Sequence, residues 1–206
     1  RGLGDVYKRQ DFEQSRNLIS GTADLVDFGD SIGANAAMFS WGSTNQQTFD
    51  IPLTNDKDQF VDDSATYDRT YRGGTDVGDA IEYGTSLITD PANGARPGVP
   101  QALVILTDAA PYQITGDSSL LSDAAAAKAA GITLIIVAIQ EAQQDPTALG
   151  ILTQAASLDS NGDPLIVTAD SYASIDNSDM QALIDSIALG ASQLPPVVID
   201  LDGDGA

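Results

Sequence analysis

Gln101-Ala102-Leu103-Val104-Ile105-Leu106-Thr107-Asp108 is the stretch from which the fold can be read. Its apolar residues run consecutively, without the polar alternation of a strand that faces water on one side. That is the mark of a strand buried on both faces. Ile132-Thr133-Leu134-Ile135-Ile136-Val137-Ala138-Ile139 repeats the pattern. Between the two, residues 118–130 read as an alanine-rich helix stopped by Gly131. A buried strand, a helix and a second buried strand form a right-handed crossover between parallel neighbours. Downstream, Asp145-Pro146 caps a further helix with inner face Leu149, Leu152 and Ala156. A shorter strand, Leu165 to Thr168, follows it. Met180, Leu183, Ile184 and Ile187 mark a last helix.

Upstream the alternation continues. Phe12, Ile19, Thr22 and Val26 share one helical face, and Gly29 and Gly33 end that helix. Ala34 to Ser43 reads as a strand, and Gln47 to Leu53 as an antiparallel edge strand with Pro52 near its end. Residues 56–69 suit a short polar helix. A glycine turn, Gly73-Gly74, then feeds a helix whose buried stripe is Val77, Ile81, Gly84 and Ile88, widened by Ala80 and Leu87. These elements predict an α/β domain with a doubly wound, mostly parallel sheet and helices on both faces. Pro195-Pro196 marks the domain's end. The expected organisation is therefore an appended segment over 1–10, a domain over 11–190, and a linker with the start of a calcium-loop-like segment over 191–206.

Composition narrows the function. The formal charge is -21, and all acidic residues except Glu13, Glu82 and Glu141 are Asp. A phosphate-binding surface needs clustered Lys and Arg, so a nucleic-acid partner is not expected. There is no His and no Cys, which removes the commonest general base and every thiolate site. No nucleophile elbow, P-loop or dinucleotide loop is present, so the chain does not read as an enzyme. The longest apolar run, Ile132 to Ile139, is far short of the ~20 residues that a spanning helix needs.

In doubly wound sheets, ligands bind at the carboxyl ends of the strands, near the switch in strand order. Asp108 ends a buried strand, and Thr75 follows the Gly73-Gly74 turn, so both are expected on one sheet edge. A hydroxyl and a carboxylate are hard oxygen ligands for Mg2+, Mn2+ or Ca2+. Plainer roles also exist. Asp108 could cap the turn after its strand, and Thr75 could be the N-cap of the next helix.

Three stretches resemble one family. Gly73-Gly74-Thr75-Asp76-Val77-Gly78-Asp79-Ala80 resembles the threonine loop of von Willebrand factor type A domains. Leu103 to Asp108 resembles their strand-plus-aspartate, and Asn35 to Ser43 their second strand. Order and spacing agree over residues 11–189. The resemblance implies a non-catalytic adhesion module with a metal ion-dependent adhesion site. In the family that site is an Asp-x-Ser-x-Ser loop, a threonine and an aspartate. The last two roles would fall to Thr75 and Asp108, holding Mg2+ (or Mn2+ or Ca2+). A carboxylate offered by a protein or surface ligand would complete the ion's coordination.

The chain departs from that pattern in its first loop. No Asp-x-Ser-x-Ser precedes Asp11, and Asp5-Val6-Tyr7-Lys8-Arg9 does not substitute, since Tyr7 is bulky and Arg9 cationic. Ala109 stands where a glycine often follows the aspartate. The opening RGLGDVYKRQ shows neither strand alternation nor a helical stripe. It resembles a translated sequencing-adapter string found at the ends of gene fragments. The expectation is a truncated domain whose first, central strand is missing. The tail, Val197 to Gly205, carries Asp200, Asp202 and Asp204 in a D-x-D-x-D-G pattern. That matches the opening positions of a calcium loop and suggests Ca2+, with an acidic linker as the plainer reading. The tail also resembles a segment of large secreted bacterial calcium-dependent proteins. A binding module of a secreted or surface bacterial protein is the function expected. The alternative is an intracellular assembly domain of the same fold that partners a chelatase-type ATPase.

Overall fold

The computed structural model describes residues 3–29, 33–42, 47–67, 75–96, 98–175, 177–188 and 197–202. Six strands form one sheet: β1 (Ala36–Trp41), β2 (Gln47–Thr54), β3 (Gln101–Thr107), β4 (Ile132–Ile139), β5 (Ile166–Ala169) and β6 (Val197–Asp202). The helices are α1 (Leu3–Thr22), α2 (Lys57–Thr66), α3 (Val77–Thr89), α4 (Pro111–Gly116), α5 (Leu120–Ala129), α6 (Glu141–Gln144), α7 (Pro146–Ala155) and α8 (Asn177–Ala188). The strand order is β2-β1-β6-β3-β4-β5. Only β2 runs antiparallel, at the edge, as its sequence predicts; β1, β6, β3, β4 and β5 are parallel.

Period-2 alternation divides the buried strands between two apolar cores. Ala102, Val104 and Leu106 of β3, with Met38 of β1 and Val137 of β4, join Ile19, Phe60, Met180 and Ile184 on one side. Leu103 and Ile105, with Phe39, Trp41 and Ile136, join Ile81, Leu120 and Leu152 on the other. The apolar stripe predicted for α3 is buried in full, Gly84 included. Gly84 is needed there because a Cβ would stand 2.7 Å from Leu103 Cδ1 and 3.0 Å from Phe39 Cε1. Lys128 fastens α5 to the end of α7, its Nζ donating to the carbonyls of Gln154, Ala155 and Ala156 at 3.2, 2.9 and 3.3 Å.

Among the described residues no strand precedes α1, in line with the expected missing first strand. Two further expectations are corrected. The central slot of the sheet is not empty. β6 lies between β1 and β3, running from Ala36↔Val197 to Trp41↔Asp202 on one side and from Ala102↔Val197 to Leu106↔Leu201 on the other. The physical reason is backbone satisfaction. β1 and β3 are both buried, and each would otherwise face the interior with an unpaired row of amides and carbonyls. Val197-Val198-Ile199 is the kind of β-branched run that fills such a slot. The second correction concerns the opening. α1 extends back to Leu3 instead of starting near Asp11. Leu3, Lys8, Arg9 and Gln10 are good helix formers, and a helix nucleated downstream propagates through them at little cost.

Candidate metal centre

The carboxyl edge of the sheet is assembled from three chain segments. Thr107 is the last residue of β3, and Asp108 follows it directly. The Thr107 hydroxyl accepts the Ala109 N–H at 3.2 Å and so helps to close the turn beyond the strand. Asp108 is half-buried. The second segment leads into α3. Its N-cap is Asp76, whose carboxylate accepts the Asp79 N–H at 3.2 Å. Thr75, 8% exposed, precedes the cap. The Asp76 N–H donates to the carbonyl of Gly42 at 3.1 Å, and Gly42 is the residue after β1. Thr75 is thereby held at the carboxyl end of β1, and Asp108 at the carboxyl end of β3.

β6 comes up between them. Its last residue, Asp202, is level with Trp41, and Leu201 is level with Leu106. This is the switch point of the sheet. From the centre, β1 and β2 lead to one edge and β3, β4 and β5 to the other. Asp200 lies lower, level with Phe39 and Ile105 in the middle of the strand. Asp200 and Asp202 therefore sit on a strand paired on both sides, where a free calcium loop was expected. Asp204 lies outside the described residues, as do Tyr71, Arg72, Gly73 and Gly74. Among the described residues, no group of three or more acidic side chains stands ready to hold an ion. The oxygen donors of Thr75 and Asp108 fit a hard cation, and the backbone delivers a further acidic position, Asp202, to the same edge.

Sequence reading missed Asp117. It follows α4 and accepts four hydrogen bonds. The Gly78 N–H donates to Oδ2 at 2.8 Å. The Ser119 N–H, the Ser119 hydroxyl and the Leu120 N–H donate to Oδ1 at 3.1, 3.2 and 3.0 Å. Burial raises its pKa above the usual carboxylate range; the Gly78 amide opposes this, and the charge of Asp76 adds to it. The spacing Asp117-x-Ser119 ahead of an alanine-rich helix was a capping signal, but the bond to Gly78 had no local trace in sequence. Tyr112, at the start of α4 and close in sequence to Asp108, is 74% exposed.

The von Willebrand factor type A domain model matches residues 5–181. Among solved structures, proximal thread matrix protein 1 from the mussel byssus, described with a zinc-occupied MIDAS motif, is similar at TM-score 0.66 and 17% identity. The match covers 88% of this chain and 43% of the mussel protein, so the chain spans less than half of that protein. A conserved hypothetical protein, BatB from Bacteroides thetaiotaomicron, is similar at TM-score 0.51 and 17% identity, over 93% of this chain and 80% of the other. No curated protein matches at a significant level. The family model spans most of the helices and strands described above and includes both the Thr75 and the Asp108 segments, and on that match the chain belongs to the von Willebrand factor type A domain family.

Proposed function

We propose that the chain is a non-catalytic binding module that captures a protein or surface ligand bearing a carboxylate, through a divalent cation at the carboxyl edge of the sheet. The observation that carries this reading is the placement of Thr75 and Asp108 at the carboxyl ends of the two strands that flank β6. The chemistry of the two side chains points to Mg2+, Mn2+ or Ca2+. A cation bound there would also be favoured by the chain's charge of -21, which raises the local concentration of cations. The D-x-D-x-D-G tail enters the same reading. Asp202 comes level with the edge that Asp108 occupies, so this residue of the tail and the adhesion site would serve one cation region and not two separate ones.

The exposed ring of Tyr112, at the start of the helix that follows Asp108, is the type of residue that anchors binding interfaces. The module would act in a secreted or cell-surface protein. Its acidic composition suits a calcium-rich extracellular medium. Mn2+ binding followed by electron paramagnetic resonance tests the reading directly. The full chain should take up Mn2+, Mg2+ should compete for it, and Asp108→Ala should weaken uptake by about tenfold or more. Equal Mn2+ uptake by the Asp108→Ala and unmodified chains refutes the site.

A further inference from the structure

We propose that Asp117 is a positioning residue for the metal edge, a single carboxylate that holds the Thr75 segment and the Asp108 segment in a fixed relation. The consequence for cation binding rests on the function proposed above; the tie itself rests on hydrogen bonds alone. The two segments belong to different loops, one entering α3 and the other leaving β3. Nothing covalent joins them locally. Asp117 does so through Gly78, whose N–H reaches Oδ2 at 2.8 Å, while Oδ1 stays on the first turn of α5 through Ser119 and Leu120.

Each side of the tie is short and braced. On one side, Gly78 lies in the first turn of α3, directly after Thr75, Asp76 and Val77. Asp76 is in turn bonded to Gly42 at the end of β1. On the other side, α4 runs between its caps, Ala110 and Asp117. Its start is fixed by Gln113 Oε1, which accepts the Ala110 N–H at 2.8 Å, and its end by the Asp117 N–H, which donates to the Ile114 carbonyl at 3.3 Å. The result is a closed circuit from β1 through Asp76, Gly78, Asp117 and α4 to Asp108 and β3. A displacement of the threonine segment must therefore strain the aspartate segment.

The fit at the tie is close. A Cβ on Gly78 would stand 2.2 Å from Ser119 Oγ and 2.9 Å from the Leu120 backbone nitrogen. Two helix N-termini thus converge on one carboxylate, and both place partial positive charge against it. A carboxylate suits this position better than an amide, because all four of its partners are donors. Asp117 itself is placed as a cap, with its oxygens committed to these donors and not offered to the cation.

The test uses the full chain with Asp117→Ala, Asp117→Asn, Gly78→Ala and Asp108→Ala, read by amide hydrogen exchange and by Mn2+ titration under electron paramagnetic resonance. Asp117→Ala should speed exchange of the Gly78, Asp79 and Ala80 amides by about tenfold or more while β4 keeps its protection. It should weaken Mn2+ about tenfold with the number of sites unchanged. Asp117→Asn keeps one acceptor oxygen but sets an NH2 against the donors on the other side, so it should fall between the unmodified chain and Asp117→Ala in both readouts. Gly78→Ala, which forces α3 and α5 apart, should reproduce the Asp117→Ala pattern. Unchanged exchange at Gly78 to Ala80 in Asp117→Ala overturns the tie. Faster exchange there with Mn2+ affinity intact overturns the positioning role. If the unmodified chain and Asp108→Ala bind Mn2+ alike, the metal reading fails and the positioning role fails with it, while the exchange result still decides whether the tie exists.

Discussion

Ending the chain at Pro196 removes β6 and leaves everything else in place. The cost can be worked from the register. β6 has six paired positions along β1 and five along β3, and β1 is buried along its whole length. Every second residue of a parallel strand turns both its N–H and its C=O to the same neighbour, so roughly ten backbone groups on the flanking strands lose their partners. At about 1–3 kcal/mol for each buried group left unmet, the loss is on the order of 10–30 kcal/mol. That matches or exceeds the whole stability of an ordinary domain. The shortened chain should show no cooperative urea transition by circular dichroism. It should also self-associate in light scattering, because two inner edges then face solvent. A synthetic peptide covering residues 195–206 should restore part of the transition when added in trans. Within the intact chain, Ile199→Pro is the gentler form of the same perturbation. It removes one amide beside Met38 and Val104 and should cost about 3 kcal/mol or more. A chain ending at Pro196 that unfolds cooperatively, within a few degrees of the full chain, refutes the assignment of β6 as the structural centre of the sheet.

Other positions give independent tests. Asp50 is the extra residue of a bulge, where the pairing passes from Phe39↔Phe49 to Met38↔Ile51, and burial pushes its pKa from 3.8 up to about 6. Since the folded value is the higher one, the neutral form suits the fold. Its contribution is complete below 3.8 and is lost as pH rises through about 6. The ceiling is about 3 kcal/mol, and partial exposure on an edge strand reduces it to about 1–2 kcal/mol. Asp50→Asn should therefore stabilise the chain by about that amount in urea melts at about pH 7.5 and by almost nothing at about pH 4. Gly84→Ala gains about 1 kcal/mol of helix propensity but drives a methyl into Leu103 and Phe39, an overpacking cost of about 1–3 kcal/mol. A net loss of about 0–2 kcal/mol in urea denaturation is expected, where an open helix position would show a gain. Tyr112→Ala should leave the urea midpoint unchanged, as befits a residue 74% exposed, while lowering capture of immobilised carboxylate-bearing peptides in the presence of Mn2+.

What could be read from the sequence followed from local periodicity. The β3 and β4 runs, the α3 stripe and the edge position of β2 are all patterns that a short window contains, and the structure places them as read. The carboxyl-edge location of Thr75 and Asp108 followed from the fold class together with their positions after a turn and a strand. α4 escaped because Pro111 to Gly116 is too short to show a helical stripe. The N-cap of α3 is Asp76, one residue after the Thr75 that the sequence offered for that role.

The central strand was hidden for a deeper reason. Val197-Val198-Ile199 is a β-branched run, but the acidic residues that follow it pointed to a calcium loop or a linker. Nothing inside the segment announces a partner. Its place is set by what it pairs with, namely two parallel strands far earlier in the chain whose inner edges would otherwise be unmet. The same pairing puts Asp200 level with Phe39 and Ile105, in the middle of the strand. A carboxylate on a strand paired on both sides costs more than a β-branched apolar residue there. Asp200→Val should therefore strengthen the β6 pairing and raise the urea midpoint of the full chain, and the Mn2+ affinity should stay within about twofold because Asp202, not Asp200, comes level with the edge. A lower midpoint, or Mn2+ uptake lost together with Asp200, would show that Asp200 belongs to the cation site and that the strand sits in a different register from the one described.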